Sequence, residues 1–104
     1  MYRANEWKGN GMYGTVARIR VKPENRDALR KVFGAQSDRQ VEGFKSSYVL
    51  FENEGDGGWL VAIFEDRATY DKNADDPAMH EQYVAYRALM EAEPEWHDGE
   101  VESA

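Results

Sequence analysis

His80 is the residue of this chain best suited to moving a proton. It falls in the first turn of a helical segment opened by Asp76-Pro77. The positive end of a helix dipole disfavours protonated imidazole, so a neutral ring there can accept the proton of a phenol. Tyr83 belongs to the apolar stripe of the same segment, and Arg18, Tyr48, Trp59 and Trp96 fall on strands. Such side chains stack on a flat apolar molecule or hydrogen-bond its oxygens. The candidate ligand-pocket residues are therefore His80, Tyr83, Arg18, Tyr48 and Trp59, with His80 and Tyr83 at the mouth of the pocket. Arg18 and Trp59 contribute only where strand parity turns them toward it. Each aromatic also fits the plain reading of a core side chain, and His80 that of a solvated one.

Other chemistries lack their residues. Without cysteine there is no disulfide framework, no iron–sulfur cluster and no thiol nucleophile. His80 and His97 stand seventeen residues apart with no HxH or HxxxH spacing, so no metal site is expected. Consecutive strand residues face opposite ways, so His97 and Asp98 cannot form an oriented catalytic pair by themselves. Gly55, Gly57 and Gly58 lie in a hairpin rather than ahead of a helix and make no phosphate loop. A formal charge of −7 argues against nucleic acid or an anionic membrane as partner. No segment approaches the roughly 18 apolar residues of a membrane span, and Met1 to Gly14 lacks the apolar core of a secretion signal. A soluble cytoplasmic protein is expected.

The elements that must position these residues follow from periodicity. A chain of 104 residues makes one domain. Residues 1–11, with Gly9, Asn10 and Gly11 and no sustained period, read as a flexible N-terminal arm, leaving 12–104 as the folded domain. Gly14 to Val21 alternates, with Thr15, Ala17, Ile19 and Val21 on one face and Val16, Arg18 and Arg20 on the other. Lys22-Pro23-Glu24 opens a helix whose stripe is Leu29, Val32, Phe33 and Gln36. Gly43 to about Glu52 is a second strand, the run Asn53 to Gly58 a hairpin turn, and Trp59 to Glu65 a third strand. A short helix covers Arg67 to about Asn73. The next, capped by Asp76, spans Ala78 to about Ala92 with the stripe Met79, Tyr83, Tyr86 and Met90. Pro94 ends it, and Glu95 to Val101 returns as a strand. This is the βαββαβ order of a ferredoxin-like α+β fold with a four-stranded antiparallel sheet.

Strands two and three are apolar on both parities: Tyr48 and Leu50 against Val49 and Phe51, and Trp59, Val61 and Ile63 against Leu60, Ala62 and Phe64. Helices on one side of a sheet shield only one of those faces. The other would form an apolar patch of the kind that marks an interface, and face-to-face packing of two copies is the simplest closure. A homodimer is expected.

The Gly14-to-Lys22 strand, the Pro-Glu-initiated helix, Gly43-Phe44, Phe64-Glu65-Asp66 and the closing Pro94-Glu95-Trp96-His97-Asp98-Gly99-Glu100-Val101 together resemble the dimeric α+β barrel superfamily. Within it they are most similar to the antibiotic biosynthesis monooxygenase-like branch, over roughly Met12 to Glu102. The resemblance implies homodimers whose sheets face one another and a ligand pocket between sheet and helices. It also implies an oxidoreductase activity without a cofactor, in which an electron-rich phenolate reacts with O₂ directly. The haem-degrading members use an Asn on the first strand and a Trp and a His about three turns apart on the second helical region. The first strand here has no Asn and His80 is offset, so that reaction is not expected. The competing expectation is a non-catalytic binding or stress-related module of the same fold, its pocket filled by its own Tyr and Met side chains.

Overall fold

The structure, a computed structural model, describes residues 11–38 and 41–103. The expected arm therefore lies outside the described residues except for Gly11, as does the side chain of Gln36. Alternation builds β1 (Tyr13–Arg20), and Pro23–Asn25 makes a 3₁₀ turn leading into α1 (Arg26–Asp38). Then follow β2 (Phe44–Phe51), β3 (Gly57–Phe64), α2 (Arg67–Ala74), α3 (Pro77–Arg87) and β4 (Glu95–Glu100). The four strands form one antiparallel sheet in the order β2-β3-β1-β4. The architecture is the ferredoxin-like α+β fold expected from the order of periodicities. No helix among the described residues is long and apolar enough to cross a membrane.

Register sorts the side chains into two faces. Thr15 pairs with Ala62 and Ala17 with Leu60, while Val49 pairs with Leu60 and Ser47 with Ala62. Directly opposed residues share a face, so all of these look toward the helices. Ala17, Ile19, Val21 and Leu60 meet Leu29 of α1, Tyr86 of α3 and Met90 beyond it in one core, with Phe33, Val49, Phe51, Met79 and Tyr83 packed around it. Burying a side chain of this size contributes roughly 1.5–3 kcal/mol, which is what holds α1 and α3 against the sheet.

Three boundaries differ from the periodicity by two residues or more, the others by at most one. The strand β3 starts at Gly57 rather than Trp59. The two glycines are strand residues because they pair with Arg20 and Ile19 of β1, and they are glycines because a Cβ on Gly58 would lie 2.6 Å from the Leu50 carbonyl oxygen and one on Gly57 would run into the Arg18 and Glu52 side chains. The helix α3 stops at Arg87, short of Ala92. The Leu89 and Met90 amides turn back to the carbonyls of Tyr86 and Arg87, and the Glu91 amide donates to the Arg20 carbonyl at 2.9 Å. That last bond draws the chain onto the end of β1. Pro23 opens a 3₁₀ turn first, with the α-helix beginning at Arg26.

Candidate functional site

Local chemistry sets where the helical residues of the site begin. Asp66 caps α2, its carboxylate accepting from the Thr69 amide at 2.8 Å, and this bond holds the Asp66 pKa below its ordinary value. Asp76 caps α3 in the same way through the Ala78 amide at 2.9 Å, with Pro77 in the first turn. The two caps place Tyr70 and Asn73 on α2 and Met79, His80, Tyr83 and Tyr86 on α3 over the helix-facing side of the sheet.

Between these helices, α1 and the sheet lies a cavity of about 410 Å³. Its apolar wall includes Phe33 of α1, Leu60, Ala62 and Phe64 of β3, and Met79. Thr15, Ser47, Asn73, His80 and four tyrosines, Tyr48, Tyr70, Tyr83 and Tyr86, supply the polar side chains, and Trp96 borders it from β4. No Lys, Arg, Asp or Glu is among the described residues that line it. His80 and Ala74 are exposed and mark the open side, whereas Tyr86 is only 2% exposed and marks the inner end.

The tyrosine hydroxyls are not equivalent. Tyr70 donates to Asp98 Oδ1 at 3.0 Å; burial first, and then this bond to an anion, push its pKa up to about 12. The Thr15 hydroxyl beside it acts in the opposite sense and itself donates to the His97 carbonyl at 3.3 Å. Tyr83 donates to Glu93 Oε2 at 2.8 Å, a bond that raises its pKa, with burial adding to the effect. Tyr86 is raised by burial above all. Its ring lies 5.3 Å from those of both Phe33 and Tyr83.

Of the candidate residues, His80 and Tyr83 line this cavity. Tyr48 borders it, but pairs with Val61 on the opposite parity and is 63% exposed. Arg18 and Trp59 do not line it. They pair with each other across β1 and β3 on the sheet face away from the helices. There the Arg18 guanidinium sits 5.2 Å over the Trp59 ring and grips Glu52 with both terminal nitrogens, at 3.1 and 3.2 Å. The parity condition thus turns both of them away. Tyr70 and Asn73 escaped the sequence analysis, which placed no ligand-pocket residue on their short helix. Their spacing of three residues on one helix face was the available signal.

A family model described as antibiotic biosynthesis monooxygenase matches residues 12–93. Among solved structures, the chain is similar to SnoaB of Streptomyces nogalater, a cofactor-independent oxygenase, with a TM-score of 0.73 and 18% identity over 90% of this chain and 96% of that one. A conserved protein of Methanosarcina mazei Go1 gives 0.73 and 16%, covering 88% and 94%. A candidate antibiotic biosynthesis monooxygenase of Chloroflexus aurantiacus J-10-fl gives 0.70 and 21%, covering 89% and 95%. No curated protein matches the chain in sequence.

Proposed function

The chain belongs to the antibiotic biosynthesis monooxygenase family, and from that premise we propose that it binds an aromatic small molecule in the cavity beside α3 and oxidises it with O₂, using no bound cofactor. The observation that carries the reading is the cavity of about 410 Å³, aromatic and apolar in its walls, with a histidine at its mouth. That volume falls within the range typical of small-molecule sites. A cavity of this size speaks for a ligand rather than for a module packed full of its own Tyr and Met side chains.

The chemistry asked of the residues is modest. His80 takes the proton of a phenol held at the mouth, and the phenolate is electron-rich enough to reduce O₂ itself. Apolar walls keep water from the reacting carbon and strengthen the local electrostatics. At an activated ring methylene the balance is CH₂ + O₂ → C=O + H₂O: one oxygen atom enters the product and the other leaves as water. The substrate supplies all four electrons, so no external reductant is needed. We infer in addition that two copies associate through the sheet face that carries Tyr48, Leu50 and Trp59.

The test uses 1,8,9-trihydroxyanthracene, followed by tryptophan fluorescence, to which Trp96 reports from the cavity edge, and by oxygen uptake. Saturable quenching and oxygen consumption are expected in the wild type. In His80→Ala, binding should persist while uptake falls about a hundredfold or more, the usual scale of a lost general base. Uptake unchanged by the substitution removes His80 from the mechanism, and binding without uptake favours the non-catalytic module.

A further inference from the structure

On the sheet face away from the helices, register lays Tyr48, Val61, Val16 and His97 in one row across the four strands, and Leu50, Trp59, Arg18 and Glu95 in the next. Arg18 thus stands in line with two large apolar side chains and next to the row that holds Val16 and Tyr48. A lone guanidinium in that position would oppose any apolar cover, because burying an unpaired charge is costly.

The charge is answered within the chain itself. Both terminal nitrogens of Arg18 reach the Glu52 carboxylate, at 3.1 and 3.2 Å, and Nη1 also donates to the Gly58 carbonyl at 3.3 Å. The guanidinium lies 5.2 Å over the Trp59 ring. Gly57 makes the bed for this pair, since a Cβ there would collide with Glu52 Oε1 and Arg18 Nη2. Both heads therefore lie close on the strand rather than standing out from it. Their side chains are 33% and 42% exposed, so much of their desolvation has already taken place on folding.

The remaining charges of this face are closed in the same way. Arg20 lies 3.9 Å from Asp56, and Glu95 turns to the His97 imidazole at 3.3 Å. The chain as a whole carries −7, yet little net charge gathers here. A nucleic acid or a strongly basic protein finds no complementary field on such a surface. Two identical copies meet on it without repulsion.

We propose that Arg18 and Glu52 form a self-neutralised ion pair seated inside the contact between two copies of this chain, where each residue makes the other tolerable under an apolar cover. This role rests on the association of two copies through this face, and it adds the residues on which that association depends. The pair supplies little attraction across the contact; what matters is that neither charge is left alone. In a two-fold contact each copy brings one pair, so any change counts twice.

The experiment measures the dimer dissociation constant by sedimentation equilibrium for the wild type, Arg18→Met, Glu52→Met and the double variant, with the helical signal of each recorded to show that it folds. Each single substitution strands one charge and should raise the constant about thirtyfold or more. The double variant should associate at least as tightly as the wild type, because apolar side chains replace a paired charge at no loss. Single variants that associate like a dimeric wild type would overturn the proposal, placing the pair outside the contact and leaving the association standing. A double variant as weak as the single ones would overturn it too, since the pair would then bind the other copy directly. A wild type that stays monomeric at micromolar concentration would overturn the association and the proposal together, and assign the face to a different partner.

Discussion

Tyr70 and Tyr83 hold their protons through carboxylates on neighbouring segments, and this makes the site sensitive to alkali in a defined direction. With Tyr70 raised to about 12 in the fold, against about 10 for a free side chain, the native state keeps a proton that the unfolded chain loses. The stabilisation is complete below pH 10 and disappears as pH climbs from 10 toward 12. Phenolate absorbance near 295 nm should therefore rise in two phases, the later one coinciding with loss of helical signal. In Tyr70→Phe the fall of stability over that window should be shallower by close to one proton, measured as midpoint denaturant against pH; an unchanged slope would contradict the assignment. At this scale the sequence was a partial guide. His80 and Tyr83 were legible because a cap and a stripe fix where helix residues point. Tyr86 read only as core, since nothing local says that it borders a cavity.

At the level of elements, the link from α2 back to β2 turns on Gly43. This residue has φ of +76°, and the Thr69 side chain occupies the place a Cβ would take. Thr69 is held there by its bonds to Asp66, the cap of α2. The Gly43 carbonyl accepts from the Glu65 amide at 2.7 Å, fastening the start of β2 to the end of β3. Gly43→Ala should therefore destabilise the protein by at least about 1–2 kcal/mol from backbone strain alone. The steric part should be relieved in the double variant with Thr69→Ala and the strain part should not, as denaturant melts of both will report. Strand and helix types were legible from periods of two and 3.6. Their ends were less so: β3 began two residues early and α3 stopped at Arg87 because contacts with Ile19, Leu50 and Arg20, distant in sequence, decide those positions.

Across the whole molecule, the three helices cover one face of the sheet and leave the other open. Val16, Tyr48 and Leu50 are 40%, 63% and 56% exposed on it, beside the half-buried Trp59, Val61 and Ile63. Covering several such side chains at roughly 1.5–3 kcal/mol each is ample to drive association. Light scattering behind size exclusion at micromolar concentration should return twice the chain mass. Leu50→Glu combined with Val16→Glu should give a monomer with its helical signal kept, because both residues stand clear of the core; a wild-type monomer would refute the association. The two-sided hydrophobicity of β2 and β3 is written in consecutive residues, so the sequence by itself determined the fold class, the family and the existence of a second apolar face. It could not determine which parity meets the helices. That follows from the pairing of β1 with β3, which sends Arg18 and Trp59 to the open face and Thr15, Leu60 and Ala62 to the cavity. A shift of one residue in register would exchange the two sets. Only the tertiary structure decided it, because register is fixed by side chains some forty residues apart packing against Leu29 and Tyr86.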